Sequence, residues 1–162
     1  MRKSLVLLAA ALLLTGCGAS QTYETVNDSE VSATLPPLRE VSFQLAQEPL
    51  MPVMASDGAE LYLCGDYDVM VMTVESGDLN STVTQVSGFP MEELTILQTG
   101  SGETDKYEFV WTSASESGER IGRATILDDR NYHYVLSATV DASLIEEYQE
   151  IWNGIFESFH LV

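Results

Sequence analysis

Two thiols, two imidazoles and a few clusters of acids and bases are where this 162-residue chain could do chemistry. A cysteine acts as a nucleophile when a base sits beside it, so Cys64 with His133 is the pair that would make a nucleophilic site. Against that, Cys64 closes the run Leu61-Tyr62-Leu63-Cys64, a strand pattern in which a lone thiol behaves as a small apolar side chain. His133 lies between Tyr132 and Tyr134, so on a strand it faces away from both, where a solvated or hydrogen-bonded histidine is the commoner outcome. His160 follows the end of the C-terminal helical pattern, where a cation suits the negative end of the helix dipole. Asp66 and Asp68, and the pair Asp128 and Asp129, are candidate calcium ligands. Calcium takes six to eight oxygens from a shaped loop. Neither pair brings the remaining ligands, and both also fit turn chemistry. Arg120, Arg123 and Arg130 gather around one predicted hairpin, either as a patch for an anionic ligand or as partners in ion pairs. Arg120 and Arg123 have opposite strand parity and face opposite ways. No Cys or His cluster has zinc spacing, and Gly100-Ser101-Gly102 lacks the lysine-serine pair of a phosphate loop. A carboxylate pair for glycoside hydrolysis cannot be picked from 25 acids.

The other thiol sits in a different context. Arg2 and Lys3 form a basic start, residues 5–14 are an apolar run too short to span a bilayer, and Leu14-Thr15-Gly16-Cys17 follows. This order resembles the signal peptide and lipobox of bacterial lipoproteins. The resemblance implies a diacylglyceryl group on the Cys17 sulfur, cleavage after Gly16, and Cys17 as the mature N-terminus. Two acyl chains are the number that stable anchoring requires. With Cys17 lipidated, Cys64 has no partner for an internal disulfide. Removing the signal leaves five bases against 25 acids, a formal charge of 5 − 25 = −20. Such a surface should repel nucleic acid and anionic headgroups, which counts against a nucleic-acid role.

The domain organisation expected is a signal peptide over residues 1–16, a polar tether over 17–38 and one domain over 39–162. Residues 22–35 could instead pair as a first hairpin around Asn27-Asp28, and that alternative stays open. Val41-Ser42-Phe43-Gln44-Leu45 alternates as a half-buried strand, and Pro49 and Pro52 then bracket an irregular connection. A strand over residues 60–64 follows. Residues 67–75 carry apolar side chains on both faces, as a covered central strand does. Asp78 caps a short helix closed by Gly88, and a helical turn starts at Pro90. Strands are predicted over 95–99, 106–113, 120–127 and 132–140, joined briefly and so antiparallel. The chain ends in a long helix whose apolar stripe includes Leu144, Tyr148, Trp152, Ile155, Phe156 and Phe159. Its start is either Asp141 as a cap or a capping box of Ser143 with Glu146. Gly154 either allows close approach to the sheet or is simply tolerated.

This is an α+β pattern: a mostly antiparallel sheet packed against a long C-terminal helix and a short middle helix. The run Gly122-Arg123-Ala124-Thr125-Ile126-Leu127, the strand Tyr132-His133-Tyr134-Val135-Leu136 and the ending Ile155-Phe156-Glu157-Ser158-Phe159 carry a resemblance to the PsbP-like fold. The chain also resembles lipoproteins of Gram-positive bacteria. The expectation is an extracytoplasmic lipoprotein, held to the cell membrane through Cys17, whose domain is a non-enzymatic accessory or binding module. Its candidate partner is a cell-envelope protein, and neither cofactor nor metal is assigned to it. Two other readings stay open: a cell-envelope hydrolase with dispersed carboxylates or a Cys64-centred site, and a calcium-dependent adhesion or stability module.

Overall fold

The structure is a computed structural model that describes residues 34–48, 51–54, 58–101 and 103–162. The signal run, Cys17 and the segment up to residue 33, read as tether or hairpin, lie outside the described residues. Among the described residues nine strands and two α-helices follow in the order β1 (Val41–Ser42), β2 (Met51–Met54), β3 (Glu60–Leu63), β4 (Tyr67–Glu75), α1 (Leu79–Ser87), β5 (Ile96–Ser101), β6 (Thr104–Ser115), β7 (Gly118–Asp128), β8 (Tyr132–Asp141), α2 (Ile145–Ser158) and β9 (His160–Leu161). Seven strands form an antiparallel sheet in the order β2-β3-β4-β8-β7-β6-β5, and β1 pairs with β9 apart from it. The α+β class and the four-strand meander are as the sequence predicts.

Period-two alternation explains why β4 lies inside the sheet. Tyr67, Val69 and Val71 face one way and pack with Leu136, Trp152 and Phe156. Met70, Met72 and Val74 face the other and pack with Val83, Phe109 and Val135. Each face is closed by one helix: α2 covers the first and α1 the second. Trp152, Ile155 and Phe156 are the buried stripe of α2. Side chains of this size contribute about 1.5–3 kcal/mol each when fully buried. Helix α1 begins where Asp78 accepts from the Asn80 N–H at 3.2 Å, and it ends at Gly88 in the left-handed region with φ 81°. Only a residue without Cβ adopts that conformation cheaply. A 3-10 turn over Met91–Glu93 follows Pro90, as expected. Gly122 of β7 sits under the Trp111 ring so closely that a Cβ there would collide with the indole.

Three expectations are corrected. Neither Asp141 nor Ser143 caps α2; the helix grows from a 3-10 turn over Ala142–Leu144, and the Ile145 N–H meets the Ala142 carbonyl instead of a side chain. Residues 51–54 are not irregular but form β2, paired to β3 with Pro52 opposite Tyr62. A proline is compatible with a strand at the sheet edge, because one side of an edge strand needs no N–H donor. The first strand is only two residues long, although Phe43 and Leu45 still pack on the core beyond it. Its partner is β9, unforeseen in the sequence, which returns from α2 and pairs His160 with Ser42. Gly154 is exposed with open space around its Cα, so it serves no close approach to the sheet. Among the described residues no helix is long and apolar enough to cross a membrane.

Candidate functional site

Helix α2 lies over the middle of the sheet, and strands β5 and β6 extend the sheet to its edge on one side. That edge leaves an uncovered apolar surface beside the helix. Leu97 of β5 and Val110 of β6 are 63% and 58% exposed, unusual for branched apolar side chains in strand interiors. With Ile121 of β7 they form the strand wall of a groove of about 640 Å³. The helix wall is Ile145, Gln149, Trp152 and Asn153. Alternation places these strand residues together, since Leu97 pairs with Glu108, and Val110 with Arg123. Trp152 is buried, and its Nε1–H finds no acceptor among the described residues.

Polar groups hold the floor of the groove in place. Arg123 Nη1 donates to Asn153 Oδ1 at 2.8 Å, and its guanidinium carbon lies 4.4 Å from the centre of the Phe156 ring. Arg123 Nη2 is 3.5 Å from Glu108 Oε1, and Lys106 Nζ is 3.2 Å from the same oxygen. These partly exposed ion pairs are worth roughly 0–1 kcal/mol each, so their effect is to orient Arg123 more than to stabilise the fold. The groove thus offers an apolar surface with a fixed cation and amide beside it. That is the composition of a ligand or partner site, in which apolar area supplies affinity and a few polar groups fix orientation.

The residues singled out from sequence are not brought together here. Cys64 is fully buried beside Tyr67, with its Sγ 3.8 Å from the Tyr62 carbonyl. Burial raises the thiol pKa, with Asp68 adding to the shift and Tyr67 opposing it, so the sulfur stays protonated and unreactive. Burial likewise pushes the Tyr67 hydroxyl up to about 12. His133 is on the opposite face of the sheet and pairs with Val74, near the far end of β4, on the order of 20 Å along the strand from Cys64. The Cys64–His133 pair does not exist.

His133 is instead the centre of a buried hydrogen-bond cluster. Its Nδ1 lies 2.7 Å from Thr82 Oγ1 of α1, and its Nε2 is 3.2 Å from Ser76 Oγ and 3.7 Å from Asp128 Oδ2. Ser76 Oγ also donates to Asp128 Oδ1 at 3.2 Å. Serine and aspartate share one ring nitrogen, which is not the arrangement of a catalytic triad, where the carboxylate orients the nitrogen remote from the nucleophile. Burial lowers the His133 pKa, while Asp128 pulls it back up.

Both aspartate pairs are occupied by protein groups. Asp66 Oδ2 accepts from the Tyr148 hydroxyl at 2.9 Å, and Asp68 Oδ2 from Arg120 at 2.9 Å. Asp128 Oδ1 accepts from the Arg130 N–H, and Asp129 Oδ1 from the Asn131 and Tyr132 N–H groups, which is turn chemistry. Among the described residues no three His, Cys, Asp or Glu side chains gather as a metal site. The three arginines make no common patch. Arg120 reaches Asp68 and Thr139, Arg123 faces the α2 side, and Arg130 sits in a turn at φ 75°. The groove itself escaped the sequence reading. Its one signal was the pair Leu97 and Val110 in strands that otherwise alternate with polar residues.

The fold can be compared with solved structures. The solution structure of the cyanobacterial PsbP protein CyanoP from Synechocystis sp. PCC 6803 superposes with a TM-score of 0.54 at 11% identity, over 75% of this chain and 86% of that one. The fold is PsbP-like. The crystal structure of LpqN, involved in cell envelope biogenesis of Mycobacterium tuberculosis, superposes with a TM-score of 0.50 at 10% identity, over 78% of this chain and 86% of LpqN. Identities this low speak for the architecture alone. No protein-family profile matches the sequence, and no curated protein does either.

Proposed function

We propose that the protein is an extracytoplasmic lipoprotein, anchored through a diacylglyceryl group on Cys17, whose PsbP-like domain is an accessory module that binds a cell-envelope partner along the groove beside α2. The observation that carries the binding role is the exposed apolar strand wall at Leu97 and Val110, facing Trp152 and the oriented Arg123. Isolated exposed apolar residues need no explanation, but a continuous apolar groove with a polar rim marks an interaction site. Anchoring is supported by the order of basic start, apolar run and Leu14-Thr15-Gly16-Cys17. An envelope setting is also in keeping with the likeness to LpqN.

The two halves of the reading are tested separately. Cells fed an alkyne-tagged palmitate should label the wild-type chain and not Cys17→Ala, because the remaining thiol, Cys64, is fully buried. Label retained in Cys17→Ala would sink the anchor. For the groove, a photo-crosslinking residue at Val110 on intact cells should trap one partner reproducibly, and the same residue at Glu119, away from the groove, should not. Equal products from the two positions, or none from either, would remove the groove from the account.

A further inference from the structure

A second depression, sharing no lining residue with the groove, concentrates the scarce cations of this chain. Arg39, Lys106 and His160 come from the segment before β1, from β6 and from β9, yet they line one cavity of about 520 Å³. Leu127, Phe159 and Leu161 supply its apolar part, and among the described residues no carboxylate lines it. In a chain with 25 acids and seven bases, two of which fall in the first three residues, a cavity with two bases, a histidine and no acid runs against composition.

The charges are also underused. The Arg39 backbone is held by its N–H, which donates to the Tyr134 hydroxyl at 3.0 Å, while its guanidinium has no ion pair or hydrogen bond among the described residues. Lys106 has one partner, Glu108 Oε1 at 3.2 Å, and that oxygen also serves Arg123, so one carboxylate faces two cations. His160 Nδ1 lies 2.7 Å from the Ser158 carbonyl. A carbonyl only accepts, so Nδ1 carries a proton, and Nε2 donates to an anion when the ring holds its second proton. Besides Glu108, two acids border a neighbouring depression, where Arg39 meets Glu103, Asp129 and Arg130. Asp129 is already engaged by the Asn131 and Tyr132 N–H groups and the Tyr134 hydroxyl.

We propose that the cavity of Arg39, Lys106 and His160 binds an anionic group, a phosphate or carboxylate carried on an apolar body. A guanidinium fork takes two oxygens of such a group at once, a lysine adds a point charge, and Leu127, Phe159 and Leu161 accept the attached carbon. Selectivity is helped by the acidic excess of the chain, which disfavours anions in general. The bound group is either the headgroup of a membrane phospholipid or a soluble phosphate ester.

The test uses the full chain in phosphatidylcholine nanodiscs and reads its melting temperature, because a ligand that binds only the folded state stabilises it with the logarithm of one plus ligand concentration over Kd. Decyl phosphate below its micelle concentration should raise Tm, more than inorganic phosphate and more than decanol. Arg39→Gln and Lys106→Gln should each weaken the apparent affinity by about tenfold or more, the loss of one charge-assisted contact. Arg120→Gln removes the same charge at the Asp68 pair and should leave the affinity unchanged. Arg39 is exposed and its guanidinium makes no ion pair or hydrogen bond among the described residues, so its substitution should leave folding intact, and Arg39→Lys should restore part of the affinity. Nanodiscs containing phosphatidylglycerol distinguish the sources. An Arg39-dependent rise in Tm without added ligand identifies a lipid headgroup, and its absence identifies a soluble ester. No shift with millimolar decyl phosphate, or a shift equal in all four variants, overturns the proposal.

Discussion

His133 shows how a residue that reads as chemistry can turn out to be architecture. It is 1% exposed and joins α1 to the sheet through Thr82, and the β4 end to the β7 end through Ser76 and Asp128. An imidazole in that position is more easily buried neutral than charged, and burial lowers its pKa from the usual 6.5 despite Asp128. The consequence for stability has a definite sign. Below pH 6.5 the unfolded chain takes up a proton that the folded chain refuses, so stability falls as pH falls, down to the lowered folded pKa. Above 6.5 both states are neutral and the effect vanishes. Carboxylates add their own pH dependence, so the measurement is a difference: unfolding free energies of wild type and His133→Gln between about pH 7.5 and 5. Glutamine keeps a donor and an acceptor but does not titrate, so the wild type should lose more stability on acidification than the variant. Parallel curves would mean that His133 protonates freely in the folded state, against its burial.

At the scale of elements, the helices show which local signals decide structure and which give way. Gly154 sits in the exposed face of α2 with nothing near its Cα. Its reading as a tolerated helix-interior glycine makes Gly154→Ala stabilising by about 0.5–1 kcal/mol, through helix propensity and a less flexible unfolded chain. A rise of a few degrees in Tm is the expected result, and an unchanged or lower Tm would mean that the glycine does meet a neighbour. The strands β4 and β5–β8 could be read from sequence because runs of β-branched and aromatic residues, apolar on both faces in β4, lie between short turn signals. The capping box could not, because a 3-10 turn running straight out of β8 supplied the first carbonyl before Ser143 was needed. β2 was hidden by Pro52, which reads as a breaker until the strand is known to be an edge. β9 was hidden for a different reason. Two residues after a helix carry no periodicity, and their pairing with β1 depends on where α2 delivers the chain.

At the scale of the molecule, the two candidate sites were unreadable because both are assembled from distant positions. Arg39, Lys106 and His160 meet only once β9 has returned beside β1, while the arginines that cluster in sequence are spread over two faces by strand parity. What composition does dictate is a global charge imbalance, and it carries a prediction of its own. The chain holds 25 acids and seven bases, a net −18. Folding compresses that surplus, and two unit charges about 10 Å apart in water still repel by roughly 0.4 kcal/mol. Against it stand the attractive pairs Arg120–Asp68 at 2.9 Å, Lys106–Glu108 at 3.2 Å and Arg123–Glu108 at 3.5 Å. Each is partly exposed and worth at most about 1 kcal/mol. Salt screens both kinds of interaction, with a Debye length of roughly 10 Å at 0.1 M and 3 Å at 1 M. Short pairs are weakened less than the long-range repulsion among many like charges, so screening should favour the folded state on balance. Raising sodium chloride from about 0.02 to 0.5 M should therefore increase Tm, with most of the gain at the low end where the Debye length changes fastest. A Tm that falls over the same range would mean that the three ion pairs outweigh the surplus of acids.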